Sequence, residues 1–258
     1  MSRRWQQVRH QLRRNRPAQF SLFVLFIFVI AALCAGLSPY DPDRMALGAR
    51  TLPPDAAHWF GTDEYGRDYF TRALYGGQIS LMVGFLAMLF STLIGTVVGT
   101  VSGYFGGWLD NLMMRAVDIL MAIPAFFLLL VVNAYLKPGV DNIILIISLL
   151  TWMNMSRLVR AETLSVKERE YVLYARASGE HPLRIIVRHI IPGVLPTIIV
   201  AATLNIASAI LMESTLSFLG LGVQAPAASW GSMLNNAQSY IGEASWLAMF
   251  PGDRKSVV

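Results

Sequence analysis

The chain has 258 residues, of which 55% are hydrophobic and only 14% are charged. A soluble domain usually carries about 25% charged residues, so a soluble fold could not bury this much apolar surface and lipid is the expected solvent. The net charge of +5 comes from Lys and Arg gathered in separate loops. Nucleic-acid binding needs a continuous basic surface, so nucleic acid is excluded as a partner.

Apolar stretches of roughly 20 residues predict helices that cross about 30 Å of hydrocarbon. Five stretches qualify, and a sixth begins at Ser245 and is interrupted after Pro251 and Gly252. The sequence therefore predicts an all-α, polytopic transmembrane helical bundle with five full spans and a truncated sixth. The five spans are expected at 20–37, 79–104, 117–136, 142–157 and 194–216.

The distribution of basic residues predicts the orientation of these spans. Six arginines lie within the first sixteen residues, seven Lys or Arg residues lie in 157–188, and 189–253 contains none. Basic loops remain in the cytoplasm, which places the N-terminus and 157–192 inside and 38–78 outside. The first apolar run is longer than the roughly 7–15 residues of a signal-peptide core, so we interpret it as an uncleaved span.

Two features predict how the spans pack. Gly95, Gly99 and Gly103 are spaced four apart in the second span and share one helix face. Small residues at this spacing allow close approach of helices in lipid, so we expect tight packing there. Pro124 lies in the third span and is expected to bend it, because proline leaves a backbone carbonyl without its partner.

The stretch 157–192 is predicted to form two short helices joined by a turn. Residues 166–178 are predicted to form a helix that Gly179 ends with a left-handed turn. Pro182 is suited to begin a second helix, 182–191, and Pro192 to precede the fifth span. Apolar residues on both helices favour insertion into the groove of a partner protein. An amphipathic loop on lipid headgroups is the alternative.

Residues 167–196 resemble the "EAA" loop of ABC importer permeases, through which these subunits contact their ATPases. Because of this resemblance we name 157–192 the coupling segment. The alanine, glycine and proline of that pattern are matched by Ala175, Gly179 and Pro192. Leu173 replaces the glutamate of the pattern, Tyr174 its first alanine, and His189 its isoleucine. The resemblance implies ATPase coupling through Leu173, Tyr174, Ala175, Gly179, Pro182, His189 and Pro192.

Three further segments resemble the second permease of dipeptide, oligopeptide and nickel importers: FGTDEYGRDYFTRALYGGQISLMVG (60–84), GYFGGWLDNLMMRAVDILMAIP (103–124) and ESTLSFLGLGVQAPAASWGSML (213–234). The resemblance implies an ATP-driven importer of peptides, nickel or related small solutes in the bacterial inner membrane. Its implied partners are a second permease subunit, two ATPase subunits and an external substrate-binding protein. An ATP-independent channel or secondary transporter is the alternative function.

The family pattern divides the chain into a basic cytoplasmic N-terminus (1–19), a first span with an external segment (20–78) and an ABC permease transmembrane domain (79–252). Residues 253–258 (DRKSVV) stand where this family has an apolar continuation, and we interpret them as a non-native tail. A frameshift is the alternative explanation.

The sequence offers no catalytic chemistry of its own. It lacks the glycine-rich loop with lysine that holds phosphates, so ATP is expected on the partner subunits, and this chain is expected to carry no cofactor and no metal. Neither a nucleophile with its base nor a paired carboxylate appears within the spans. Polar groups at membrane depth are costly, and Asn205, Ser208 and Glu213 are candidates for the substrate path. Interhelical hydrogen bonding is the alternative role.

Overall fold

The computed structural model describes residues 16–135 and 139–253, and in these ranges it contains helices and turns with one isolated β-bridge, between Thr62 and Asp68. The helices in the first half of the chain are α1 (Arg16–Leu33), α2 (Tyr69–Phe105), α3 (Gly107–Ala122) and α4 (Ala125–Tyr135). Those in the second half are α5 (Val140–Val166), α6 (Glu170–Ala177), α7 (Pro182–Ile185), α8 (Ile191–Phe218), α9 (Trp230–Ala237) and α10 (Trp246–Asp253).

Four helices are long and apolar enough to cross a membrane, and they overlap the first, second, fourth and fifth predicted spans. They are Gln19–Leu37, Tyr69–Phe105, Val140–Val166 and Pro182–Phe218. The first includes the 3-10 turn Cys34–Leu37 that continues α1, and the last joins α7 to α8. The chain is therefore a multi-pass helical membrane protein.

The third predicted span, 117–136, is divided between α3 and α4 rather than forming one helix. Ile123 leaves the helical conformation with ψ of 123°, because the ring of Pro124 clashes with a helical residue before it. Pro124 therefore ends one helix and starts the next instead of bending a continuous one. The sixth apolar stretch appears as the eight-residue helix α10.

The described residues form two compact units. One unit combines the described residues before Met82 with Pro226–Gly252. Its core lies where α2 begins: the Tyr69 hydroxyl donates to the Leu247 carbonyl at 2.6 Å, and the Trp230 indole donates to the Ala73 carbonyl at 3.1 Å. The amide of Gln78 donates to the Ala32 carbonyl at 2.7 Å, which attaches the end of α1 to α2.

The other unit is formed by the described residues of Met82–Ala225. Its α2 and α5 approach closely along the face of Gly95, Gly99 and Gly103, where an added Cβ would come within 2.5–2.8 Å of α5 atoms. The expectation of tight packing at these glycines is confirmed. Such close approach increases dispersion contact, which helps to hold helices together in lipid.

Candidate functional site: the coupling segment

The first half of the coupling segment is a short helix closed by a glycine turn. α5 ends at Val166, Arg169 is extended, and α6 covers Glu170–Ala177, so the helix is shorter than the predicted 166–178. Gly179 has φ of +75°. The Gly179 amide donates to the Arg176 carbonyl and the Glu180 amide to the Ala175 carbonyl, each at 3.1 Å. This pair of bonds is a Schellman motif, and it confirms the predicted left-handed turn.

The second half of the segment is part of a long helix. His181 caps its start by accepting from the Leu183 amide at 3.3 Å, and Pro182 occupies the first turn as predicted. The prediction that this helix ends at 191 is wrong, because α7 passes through a π-helical stretch, Ile186–Ile190, directly into α8. Pro192 offers no N–H to the carbonyl four residues earlier, and the wider π turn accommodates that missing bond.

α6 has one anchored face and one exposed face. Val172 and Ala175 are buried in a cluster that also contains Tyr104, Val166 and Ile185. On the opposite side, Leu173 is 42% exposed and Tyr174 is 76% exposed. Large exposed apolar side chains on a rigidly packed helix are suited to insertion into a partner's groove.

A cavity of about 770 Å³ lies beside Tyr174 and extends to Arg188 and His189. At its edge the His189 Nε2 and the Glu180 carboxylate are 3.1 Å apart, and Arg184 Nε lies 3.9 Å from the same carboxylate. Glu180 thus connects the turn after α6 with the helix that follows. Sequence reasoning missed Glu180; its position directly after the turn glycine, nine residues before His189, was the available signal.

A network of charged side chains supports the coupling segment where α2, α3 and α5 meet. Asp110 at the start of α3 accepts from Arg160 Nε at 2.5 Å, from Arg160 Nη2 at 2.6 Å and from the hydroxyl of Ser102. The hydrogen bonds from Arg160, the largest influence, lower the pKa of Asp110. Lys167 Nζ donates to the Gly103 carbonyl at 3.0 Å. These bonds connect the ends of α2 and α5 to the start of α3.

An aromatic contact adds to this support. The Arg176 guanidinium lies 5.3 Å from the centre of the Tyr104 ring, within the range of a cation–π interaction. Tyr104, Asp110 and Arg160 were not predicted as site residues. Their sequence signal is weak, because only the folded chain brings them together.

The predicted coupling residues differ in how far they are exposed. Tyr174, Leu173, Gly179 and Pro192 are exposed, whereas Ala175 is buried; Pro182 and His189 are partly exposed. Their shared location at one end of the bundle agrees with a common site, and their role in ATPase contact remains a prediction.

The candidates for the substrate path lie on α8. Asn205 is partly exposed, and the exposed Ser208 donates its hydroxyl to the Leu204 carbonyl at 3.2 Å. Glu213 is fully buried and accepts from the Ser217 hydroxyl at 2.7 Å. Ser217 in turn accepts from the Val223 amide, so Glu213 belongs to the network that holds the turn after α8. A transport role for these three residues remains a prediction.

Within the described ranges, no group of three or more His, Cys, Asp or Glu side chains is placed to hold a metal ion. The described helices define a multi-pass helical membrane component.

Two family models match the chain. The one described as the binding-protein-dependent transport system inner membrane component matches residues 95–251, and the one described as the N-terminal TM domain of oligopeptide transport permease C matches residues 3–54. The chain belongs to the family of inner-membrane components of binding-protein-dependent ABC transporters, and within it to the second-permease type. The resemblance inferred from its motifs is confirmed.

Similar proteins agree with this assignment. The dipeptide transport system permease protein DppC of Bacillus subtilis is 43% identical over 241 residues, which cover 93% of this chain and 75% of that protein. The oligopeptide transport system permease protein OppC of Escherichia coli is 42% identical over 250 residues, covering 96% and 83%. A putative peptide permease protein of Brucella suis is 42% identical over 242 residues, covering 93% and 80%.

Proposed function

We propose that this chain is a permease subunit of an ATP-driven importer in the bacterial inner membrane and that its substrates are peptides. The names of the similar proteins support peptides over the nickel or related small solutes that the wider resemblance allows. The proposed topology has a cytoplasmic N-terminus and five full spans, of which α3 and α4 together form the third. A sixth span begins at α10.

The observation that carries the proposal is the two-faced helix α6. Its buried residues Val172 and Ala175 are packed against the ends of the long helices, while Leu173 and Tyr174 face outward. A partner ATPase that binds the exposed face would therefore move a helix that is firmly attached to the bundle. We infer that ATP stays on that partner and that this chain supplies no catalytic group.

The second half of the coupling segment provides the route by which movement of α6 would reach the membrane. Because the chain is helical from Pro182 to Phe218, a displacement beside α6 reaches the membrane through a rigid element rather than through a loose loop. Glu180 and His189 connect α6 to that element. The complete importer would contain a second, different permease subunit, two ATPase subunits and an external substrate-binding protein.

The proposal is tested by Tyr174→Ala in the complete transporter, reconstituted in vesicles with its ATPases and binding protein. Truncating a buried interface aromatic costs about 2 kcal/mol or more, so ATPase affinity should fall roughly 30-fold. Tyr135→Ala is the matched control, because Tyr135 is 88% exposed and lies outside the coupling segment.

Uptake and ATP hydrolysis should both decline in Tyr174→Ala and persist in Tyr135→Ala. Uptake that proceeds without ATP or ATPase subunits would overturn the proposal and favour a channel or secondary transporter. Equal activity of both variants would reject Tyr174 as a docking residue.

A further inference from the structure

An apolar groove of about 510 Å³ lies between the end of α1, the 38–68 segment and the start of α2. Ala31 and Cys34 form its wall on the first helix, Tyr40 and Trp59 its wall on the segment, and Phe70 and Leu74 its wall on α2. The volume falls in the range of clefts that take small molecules, roughly 300–1,000 Å³. All of these residues belong to the same compact unit.

The groove lies at a membrane boundary, whichever way the chain is oriented. Ala31 and Cys34 are near the end of the apolar run that finishes at Leu37, and that run is long enough to cross the hydrocarbon once. Leu37 is 82% exposed and Trp59 is 65% exposed. Trp and Tyr are enriched where hydrocarbon meets headgroups, and the position of Tyr40 and Trp59 in the lining agrees with a groove at the lipid interface.

The hydroxyl and carboxylate groups of the lining are already used within the chain. The Tyr40 hydroxyl donates to the Ala57 carbonyl at 3.0 Å, the hydroxyls of Ser38 and Thr71 are 2.5 Å apart, and the Asp68 carboxylate contacts His58 Nδ1 and the Thr71 amide, each at 2.8 Å. A peptide carries charged termini and amides that need hydrogen-bond partners, and burying them without partners is costly. An acyl chain needs none, so the lining selects hydrocarbon.

We propose that this groove binds one acyl chain of a membrane phospholipid. The chain would run beside Cys34 between Phe70 and Leu74, with its headgroup toward Tyr40 and Trp59. Bound lipid would attach the 38–68 segment to α1 at the membrane surface.

The test uses the full chain reconstituted in vesicles of phosphatidylethanolamine and phosphatidylglycerol that contain a phospholipid with a photoreactive diazirine in its acyl chain. After illumination, mass spectrometry locates the lipid adducts. Ala57→Trp and Cys34→Trp fill the groove from opposite walls. Ala46→Trp is the matched control, because Ala46 is exposed in the same segment but does not line the groove.

We expect single-lipid adducts on lining residues such as Phe70 and Leu74 in the unmodified chain and in Ala46→Trp, and their loss in both groove-filling variants. Adducts confined to the exposed surface of α1, or adducts that both fillings leave unchanged, would overturn the proposal. In the assembled transporter, protection of the groove by a protein segment instead of lipid would also overturn it.

Discussion

Replacing Gly99 with alanine should separate two helices that touch through backbone atoms. The added methyl group would lie 2.5 Å from the Ser156 carbonyl oxygen, 2.8 Å from Val159 Cβ and 2.9 Å from the Arg160 amide nitrogen. Ordinary contacts begin at 3.4 Å, so α5 would have to move by about 1 Å to restore normal separation. Backbone atoms cannot avoid the methyl group by changing rotamer, so the helices themselves must shift.

The expected loss follows from this displacement. Overpacking a well-packed core costs roughly 1–3 kcal/mol, and Gly99→Ala should fall near the upper end because two of its three nearest contacts are backbone atoms. The shift would also stretch the two hydrogen bonds from Arg160 to Asp110, which are 2.5 and 2.6 Å long. Gly99→Val adds two more methyl groups at the same place and should be more destabilising.

The assay is denaturant-induced unfolding of the purified full chain in detergent, followed by tryptophan fluorescence. Gly36→Ala is the control, since nothing lies within 4 Å of the Cβ it would add, and its effect should stay within about 0.5 kcal/mol. Identical unfolding of Gly99→Ala and Gly36→Ala would refute the idea that close helix approach at Gly99 contributes to stability.

Three other predictions concern turns, charge and the core. Gly179→Val forces a β-branched residue into φ of +75° at a cost of about 1–2 kcal/mol. ATP hydrolysis should then become uncoupled from uptake while membrane insertion persists. Normal uptake in this variant would contradict the coupling proposal. The pKa of Asp110 is lowered by Arg160. The ionised Asp110 carboxylate therefore stabilises the folded chain above the usual Asp range near 4, and this contribution is lost as the pH falls through the folded-state pKa. The melting advantage of the unmodified chain over Asp110→Asn should therefore shrink in acid, and an advantage independent of pH would argue against this charge. Trp230→Phe leaves the buried Ala73 carbonyl without the indole donor and should cost roughly 1–3 kcal/mol in the same unfolding assay, whereas unchanged unfolding would show that this hydrogen bond adds no net stability.

Local conformational rules allowed the turn after α6 to be predicted from sequence. Glycine adopts the left-handed conformation at little cost, and proline suits the first turn of a helix. The conformations at Gly179 and Pro182 could therefore be predicted from the residue types alone. The same applies to Gly95, Gly99 and Gly103, whose spacing alone puts them on one helix face.

The same local rules failed where packing overrides them. Pro192 was expected to precede a new helix, yet the π-helical stretch before it lets one helix continue. Pro124 was expected to bend a helix and instead divides it. A proline removes one hydrogen bond in every case, and the surrounding packing decides whether the chain bends, widens or breaks.

The candidate site shows the same division. Leu173 and Tyr174 were identified by their place in a motif, but the sequence could not say that they face outward while Ala175 faces inward, because a short helix has no fixed orientation until its neighbours are known. Glu180 and His189 form a pair across the turn only after Gly179 reverses the chain direction.

By itself, the sequence determined that this is a multi-pass helical membrane protein of the binding-protein-dependent transport family. Apolar length and shared motifs are sufficient for both conclusions, since each is read along the chain. Only the tertiary structure decided that Asp110 meets Arg160, that Glu213 is buried in a turn-holding network, and that an apolar groove opens beside Cys34. Those features depend on residues distant in the chain, whose contacts arise from the packing of whole helices.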